Sequence, residues 1–312
     1  MNKEAKLFNV FDKYYEDDNY VYLPLFLDDP SNDMGPVFDF FFSEETLYNH
    51  FRKNNDSLFD STPKCFSLLY RNLLKFIDEE INGIEYDLSD CSEEALRIIL
   101  EEQKFFDDEH KIRKDKIGKI GEYIASIVLE KIFNYTCIIP KSDLTTSKNM
   151  SVYGIDTLHY DYSNNIILFG ESKFTSTLSN GVNLISESLE KYEKRINDEI
   201  ELVFTQRLFD SLNIPKEIFK DAVDEFINVK TFISQTGIQK LYVPLFIAHG
   251  KQTNPNTILS ELKILKRKSF LGMETAYIVM SLPVKEATTF IEYLTIRIKA
   301  KIDEYERKIK HE

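Results

Sequence analysis

Apolar and polar positions follow two different periods in the last two thirds of the chain. Isoleucines at 117, 120, 124 and 127 have the spacing of one helical face. Short runs rich in β-branched and aromatic residues follow, and the turn-forming Ser163-Asn164-Asn165 separates two of them. We therefore predict a helix at 116–133, strands at 136–139, 151–160 and 166–174, helices at 184–202 and 215–226, strands at 241–249 and 276–282, and a helix at 286–310.

The first third of the chain mixes strand and helix patterns. Ser43, followed by Glu44 and Glu45, is typical of a helix N-cap with acidic residues in the first turn. Pro24 indicates an edge strand or a bulge. The predicted elements are strands at 20–27 and 37–42 and helices at 61–81 and 92–106.

Charge divides the chain near residue 110. The net charge is −13, but residues 1–110 hold 10 basic and 26 acidic side chains, whereas residues 111–312 hold 29 and 26. The negative excess therefore lies in the first third, and the remainder is free to present a local basic face to phosphates. We predict an acidic N-terminal α+β domain at 1–110, for partner docking or regulation, and a larger domain at 111–312.

Composition excludes several classes of protein. The chain is 43% hydrophobic and 29% charged, which is a globular balance. No apolar run approaches the roughly 20 residues of a membrane helix, and the N-terminus lacks the apolar segment of a signal peptide. Cys65, Cys91 and Cys137 are odd in number and far apart, which indicates neither a disulfide framework nor a zinc site. We expect a cytoplasmic protein without membrane association.

One predicted strand ends in chemically active residues. Glu171 and Lys173 close an apolar run, and because strand residues at i and i+2 share a face, they project together while Ser172 points away. Antiparallel pairing across the turn would bring Asp156, on the preceding strand, near Glu171. Two carboxylates and the carbonyl of Ser172 suit Mg²⁺ or Mn²⁺. Such an ion activates water for phosphodiester hydrolysis, and Lys173 would position that water.

A third carboxylate falls in the predicted helix at 116–133. Glu122 belongs to a stripe of mostly small residues, a face that packs closely on a sheet. Burying an unpaired carboxylate there is costly. We predict that Glu122 binds the metal or its water, the alternative being a side chain that reaches solvent at the helix edge.

The order of elements, together with these residues, resembles the PD-(D/E)xK nuclease superfamily. That superfamily has a restriction-endonuclease-like α/β (α+β) core, a mixed β-sheet flanked by helices. Asp156, Glu171 and Lys173 match its motif, although Ile155 stands where the superfamily has proline, and Glu122 matches an acid on the first core helix of many members. More narrowly, three segments resemble HamA, the nuclease subunit of Hachiman-type bacterial anti-phage systems: Lys119-Ile120-Gly121-Glu122, Gly154-Ile155-Asp156-Thr157-Leu158-His159 and Gly170-Glu171-Ser172-Lys173-Phe174.

The resemblance implies a function and a site. The implied catalytic residues are Glu122, Asp156, Glu171 and Lys173, and the implied metal ligands are Asp156, Glu171, Ser172 and Glu122. The implied activity is a Mg²⁺-dependent DNA endonuclease or nickase that acts in defence beside a HamB-like superfamily 2 helicase. The chain has no Gly-x-x-x-x-Gly-Lys-Ser/Thr loop, so any ATP-driven step belongs to that partner. A non-catalytic adaptor on the same fold and an RNase on the same scaffold stay open.

Several other polar residues have two interpretations. The basic runs at 111–119 and 263–268 either follow a DNA backbone or form solvated faces. Lys148 either meets a phosphate or is solvated. His159, close to Asp156 in sequence, and His249, at the end of a predicted strand, are either site residues or structural ones, and we favour the structural role.

Overall fold

Among the described residues, seven strands form one mixed sheet at the centre of this computed structural model. The structure describes residues 14–17, 20–24, 34–51, 61–78, 92–98, 114–138, 155–205, 233, 237–250, 254–265, 268–284 and 287–311. The strands are β1 (Tyr14–Asp17), β2 (Tyr20–Pro24), β3 (Thr136–Cys137), β4 (Thr157–Asp161), β5 (Ile166–Thr175), β6 (Lys240–His249) and β7 (Glu274–Pro283). Their order is β1-β2-β7-β6-β5-β4-β3. β2, β7, β6 and β5 are parallel neighbours, and the remaining pairs are antiparallel.

Helices cover both faces of the sheet. They are α1 (Met34–Phe42), α2 (Glu44–Phe51), α3 (Pro63–Asp78), α4 (Lys114–Phe133), α5 (Leu178–Glu190), α6 (Tyr192–Thr205), α7 (Pro255–Leu262) and α8 (Ala287–His311), with a further short helical stretch at 93–98. Helices α1 to α4 and α8 share one hydrophobic core, and α5 to α7 share the other. The predicted α/β architecture is confirmed. None of the described helices combines the length and apolar character that crossing a bilayer requires.

The pleat of β5 sends alternate side chains into the two cores. Leu168 and Phe174 belong to the core beneath α4, whereas Ile167 and Phe169 belong to the core beneath α5 and α6. Because both faces are covered, the strand is apolar at nearly every position before its polar end. The alternation places Glu171 and Lys173 on the α5 and α6 side and Ser172 on the α4 side.

The predicted turn joins β4 and β5 into an antiparallel hairpin. Thr157 pairs with Gly170, and the register continues to Asp161 opposite Ile166. Asn165 adopts a positive φ of 54°, a conformation that asparagine tolerates better than most residues. The Asp161 carboxylate accepts hydrogen bonds from the Ser163 amide at 2.9 Å and the Asn164 side chain at 2.7 Å. The turn therefore fixes the register that sets the site residues side by side.

Gly170 allows three strands to approach closely just before the polar end of β5. A β-carbon at this position would lie 2.0 Å from Oγ1 of Thr157 and 3.2 Å from the carbonyl oxygen of Pro244. The pairing of β5 with β6 keeps one register on both sides of Gly170, with Leu168 opposite Tyr242 and Glu171 opposite Leu245. Only glycine fits this contact without moving a neighbour, so the site begins at a tightly packed junction.

Two predicted elements were wrong in kind or extent. Residues 37–42 belong to α1 rather than to a strand, because Pro36 suits the first turn of a helix and the apolar run is buried on nearly every side, where periodicity does not separate the two structures. The single helix predicted at 184–202 is two helices that begin earlier, at Leu178, and break at Lys191.

The other predictions about helices, strands and boundaries are partly confirmed and partly fall outside the described residues. Most of the remaining described helices and strands lie where predicted to within a few residues, but β1 (Tyr14–Asp17) and α7 (Pro255–Leu262) were not predicted. Ser43 caps α2, since its hydroxyl accepts from the Thr46 amide at 3.2 Å. Asp156 lies just before β4 rather than inside a strand. The predicted helix at 215–226, Lys148, and the proposed boundary near residue 110 lie outside the described residues. Strand β2 nevertheless pairs with β7, so residues from both sides of that boundary share one sheet.

Candidate active site

Glu171 and Lys173 form a close ion pair at the polar end of β5. Nζ of Lys173 lies 2.5 Å from Oε1 of Glu171. The Glu171 carboxylate is almost completely buried, whereas 27% of the Lys173 side chain is exposed. The predicted same-face arrangement is therefore present. Lys173 is therefore the more exposed partner of the pair.

Asp156 is held against the backbone of the same strand segment. Its Oδ2 atom accepts from the Ser172 amide at 2.6 Å and from the Ser172 hydroxyl at 3.1 Å. Its own amide donates to the carbonyl of Gly170 at 3.0 Å. Among the described residues, no hydrogen bond reaches its Oδ1 atom. Ser172 thus orients Asp156 through its amide and hydroxyl, while its predicted contribution through the carbonyl stays a prediction.

Two residues that the sequence did not single out also bind the carboxylate of Glu171. The Ser188 hydroxyl donates to Oε1 of Glu171 at 2.6 Å, and Nη1 of Arg195 lies 3.3 Å from both carboxylate oxygens. Arg195 also donates to the Ser188 hydroxyl at 2.6 Å. Ser188 lies in the last turn of α5 and Arg195 lies in α6, so the break at Lys191 separates the helices that carry them. Their spacing of seven residues is two helical turns, which is too common a spacing to single them out in the sequence.

Electrostatics keep Glu171 and Lys173 in their charged forms. Burial alone would raise the pKa of the Glu171 carboxyl, but Lys173 and Arg195 outweigh it and hold the pKa below its usual range. Burial alone would lower the pKa of the Lys173 ammonium, and the carboxylates of Glu171 and Asp156 raise it instead. Lys173 is therefore a cation at neutral pH and does not accept a proton readily.

Asp156 is the carboxyl group whose charge is least favoured. Burial, followed by repulsion from Glu171, raises its pKa to about 6, although Lys173 and the hydrogen bonds from Ser172 act in the opposite direction. Two carboxylates that share a buried site resist being ionised together. A divalent cation relieves this repulsion, and Asp156 Oδ1 together with the less encumbered Oε2 of Glu171 offers the oxygen ligands that Mg²⁺ prefers. The donor chemistry therefore fits Mg²⁺ or Mn²⁺.

Glu122 lies on the helix that packs over Ser172. It is half-buried in α4 and follows Gly121, where an added β-carbon would lie 3.7 Å from the Ser172 hydroxyl. Helix α4 therefore crosses the sheet beside the segment that carries the site. A role for Glu122 as a ligand of the metal or of its water stays a prediction.

The two histidines and the basic runs occupy different environments. His159 is fully buried, with Nε2 3.1 Å from the Ser126 hydroxyl, and His249 is buried with Nδ1 3.3 Å from the carbonyl of Gly250. Both contacts favour structural roles. In the first basic run, Lys119 is only 5% exposed, so it is not part of a solvated face. In the second, Lys268 forms an ion pair with Glu190. Lys263, in the same run, is exposed, so both interpretations of the second run stay open.

A second group of potential metal ligands contains neither Asp156 nor Glu171. It consists of His50, Glu130 and Cys137, whose ligand atoms all lie within 4.8 Å of one another. Its ligand types differ from the oxygen-only set at Asp156 and Glu171, which indicates a preference for a different ion.

Comparison with known protein families gives a match over most of the chain. The sequence model of the family described as HamA matches residues 39–298 of the 312 residues. The match runs from within α1 to the middle of α8 and includes every residue of the candidate site. No curated protein matches the chain.

Proposed function

This chain belongs to the HamA family, and we propose that it is a Mg²⁺-dependent deoxyribonuclease, an endonuclease or nickase of a Hachiman-type anti-phage defence system. The observation that carries the proposal is the 2.5 Å contact between Lys173 and Glu171, with Asp156 bonded to the intervening Ser172. An acid and an amine that share a strand face, next to a second acid, are the groups that metal-assisted phosphodiester hydrolysis requires.

Asp156 and Glu171 would hold the metal, with Glu122 as a further ligand to the ion or its water. When bound, Mg²⁺ lowers the pKa of a coordinated water and neutralises charge on the scissile phosphate. The protein supplies two carboxylates whose orientation is already fixed. Ser172 holds Asp156, and Ser188 and Arg195 hold Glu171, so little side-chain entropy remains to be lost on binding.

Lys173 would act as a fixed positive charge. Since its pKa is raised, the protonated ammonium can donate hydrogen bonds to the attacking water and to a phosphate oxygen. Its side chain is partly exposed, and its contact with Glu171 fixes its position. A general base role for Lys173 conflicts with this charge state, because a protonated amine cannot accept a proton.

The partner assignment rests on the family and on what the sequence lacks. This sequence has no P-loop motif, and we propose that a HamB-like superfamily 2 helicase supplies any ATP-driven step. The acidic region at 1–110 either docks this helicase or covers the nuclease face. Its negative charge would repel DNA, which is consistent with either role.

Incubation of the purified chain with labelled DNA and labelled RNA, in Mg²⁺ or in EDTA, tests the proposal. The assay is run with and without the helicase partner and ATP, because cleavage in a defence complex can require both. We expect DNA to be cleaved in Mg²⁺ and not in EDTA, and we expect this cleavage to be lost in Glu171→Gln. The exposed Glu193→Gln in α6 serves as the matched control, since it removes a carboxylate outside the site.

Each other outcome of this assay has a distinct meaning. Cleavage restricted to RNA would replace the proposal with a ribonuclease on the same scaffold. No cleavage of either polymer with the partner present, together with intact complex formation, would indicate a non-catalytic adaptor. Equal cleavage by wild type and Glu171→Gln would show that the activity does not come from this site.

A further inference from the structure

The cluster of His50, Glu130 and Cys137 brings three kinds of metal ligand to one point. Nδ1 of His50 lies 2.6 Å from Oε1 of Glu130, and all three ligand atoms lie within 4.8 Å of one another. The ligands come from α2, α4 and β3, three separate elements, so no spacing in the sequence reveals them. His50 and Cys137 are 4% and 5% exposed, and Cys137 is not in a disulfide.

We propose that His50, Glu130 and Cys137 bind a Zn²⁺ ion. One imidazole, one carboxylate and one thiolate are all common zinc ligands, and the thiolate disfavours Mg²⁺ and Ca²⁺. In a tetrahedral site, bond lengths of about 2.0 to 2.3 Å set ligand atoms roughly 3.3 to 3.7 Å apart. The His50 and Glu130 atoms would therefore separate by about 1 Å as the ion takes the place of their hydrogen bond.

The surroundings of the cluster resemble the support that a metal site needs. The Ser126 hydroxyl lies 3.4 Å from Oε1 of Glu130 and 3.8 Å from the Cys137 sulfur, and Nε2 of His159 lies 3.6 Å from the same carboxylate oxygen. Such contacts orient a ligating carboxylate. His159 is fully buried and could also approach as a fourth ligand.

An ion has a route to these ligands. His50, Glu130 and Cys137 line a cavity of about 300 Å³, which leaves room for a water molecule at an open coordination position. The nearest cation in the cavity wall, Lys131, is directed to the carbonyl of Phe40 at 3.1 Å and the hydroxyl of Thr46 at 3.2 Å. Its charge is thereby partly compensated, and Glu45 in the same wall adds a negative charge.

A bound ion would join two parts of the chain. His50 belongs to the acidic first third, whereas Glu130 and Cys137 belong to the predicted nuclease core. The ion would therefore act as a structural cross-link beside the sheet. Its ligand atoms would differ from the oxygen-only ligands at Asp156 and Glu171.

Cobalt substitution tests this site without relying on cleavage. The full-length protein is treated with EDTA, dialysed and titrated with Co²⁺ and then Zn²⁺, while thiolate-to-cobalt charge-transfer absorption is recorded. We expect a thiolate band that saturates at one equivalent and disappears when Zn²⁺ is added. The band should be lost in Cys137→Ser and kept in Cys65→Ser, which removes a cysteine of α3 outside the cluster. It should also persist in Asp156→Asn, which disables the oxygen site.

Two further variants keep the test decisive if Cys137→Ser does not fold. His50→Gln, which preserves size and a hydrogen bond to Glu130, should abolish stoichiometric binding. Ser126→Ala should weaken Zn²⁺ affinity by roughly 10- to 100-fold, the usual cost of losing a group that orients a ligand. Absence of a thiolate band in the folded wild type would show that the cluster is a hydrogen-bonded network without a metal. Retention of the band in His50→Gln would show that His50 is not a ligand, which overturns the proposed three-residue site.

Discussion

Nζ of Lys173 and Oε1 of Glu171 lie 2.5 Å apart, so the amine is positioned by a residue two places earlier on the same strand. Replacing Lys173 with methionine should reduce DNA cleavage by about 100-fold or more. The reason is that the proposed positive charge on the attacking water and the phosphate is lost. Arginine should not rescue the activity, since its planar group differs in shape and reach.

The control for this prediction is Lys191→Met. Lys191 is exposed at the break between α5 and α6, so its loss tests the general effect of one lysine fewer. Single-turnover cleavage at saturating Mg²⁺ measures both variants. Wild-type rates in Lys173→Met would remove Lys173 from the mechanism.

The raised pKa of Asp156 predicts a pH-dependent cost to stability. In the folded protein this pKa is about 6, above the value of roughly 4 for an unfolded aspartate. The folded state therefore binds the proton more tightly, and the aspartate destabilises the metal-free protein above pH 6, with the effect disappearing below about pH 4. In EDTA, Asp156→Asn should have a higher Tm than wild type at pH 8, and the two should converge at pH 4.

Thermal melts at both pH values check this prediction. The same variant should lose cleavage and Mg²⁺ binding, because the amide is a poor metal ligand. A stability gain together with a loss of activity is typical of a residue kept for function. A lower Tm for Asp156→Asn at pH 8 in EDTA would contradict the assigned direction of the pKa shift.

Arg195 is expected to support catalysis through Glu171. Removing its charge in Arg195→Gln should raise the pKa of the Glu171 carboxyl and loosen its orientation, so cleavage should fall by about 10- to 100-fold. Because the carboxyl would titrate at higher pH, the loss should be smaller at pH 9 than at pH 6. The neighbouring exposed Lys194→Gln removes the same charge from α6 without touching Glu171 and should leave the pH–rate profile unchanged. A pH-independent defect would indicate a purely structural role.

Glu122→Gln should abolish cleavage with little change in Tm. The substitution is nearly isosteric and lies at a half-buried position of α4, so packing should persist while a carboxylate ligand is lost. Isothermal titration of Mg²⁺, performed beside the cleavage assay, separates a ligand to the ion from a group that holds its water. Full activity in this variant would refute the role proposed for Glu122.

Gly170 is predicted to be intolerant of any side chain. In Gly170→Ala the new methyl group would lie 2.0 Å from Oγ1 of Thr157, which forces β4 and β5 apart and should cost about 1 to 3 kcal/mol. The matched control is Gly118→Ala, an exposed helical position with no atom within 4 Å of the added carbon. It should be neutral or more stable by about 0.5 to 1 kcal/mol. Urea unfolding of both variants compares the two free energies, and a tolerated Gly170→Ala would show that the junction can relax.

The parts of the site that were predictable follow from one strand and one turn. Strand periodicity places Glu171 and Lys173 on one face, and the turn at Ser163-Asn164-Asn165 fixes the register that returns Asp156 to the same end. Both are local rules, so a single sequence is sufficient for them.

The parts that were not predictable depend on tertiary packing. The helix of α1 was predicted as a strand because an apolar run that is buried nearly all round has no usable period. The break at Lys191 has no proline or glycine to mark it, and so Ser188 and Arg195 gave no signal of their contact with Glu171. The cluster of His50, Glu130 and Cys137 likewise exists only because three distant elements meet.

The parallel pairing of β2 with β7 matches Tyr20 to Tyr277, two residues far apart in the sequence. During synthesis β2 leaves the ribosome long before β7, so the sheet cannot close until β7 has emerged. Contacts of such large sequence separation slow folding and prolong the life of partly assembled forms. A shortened chain without β2 would leave the backbone of β7 unpaired along one side, a template onto which other chains can add. Dissection of the acidic region is therefore better done by point substitutions than by truncation.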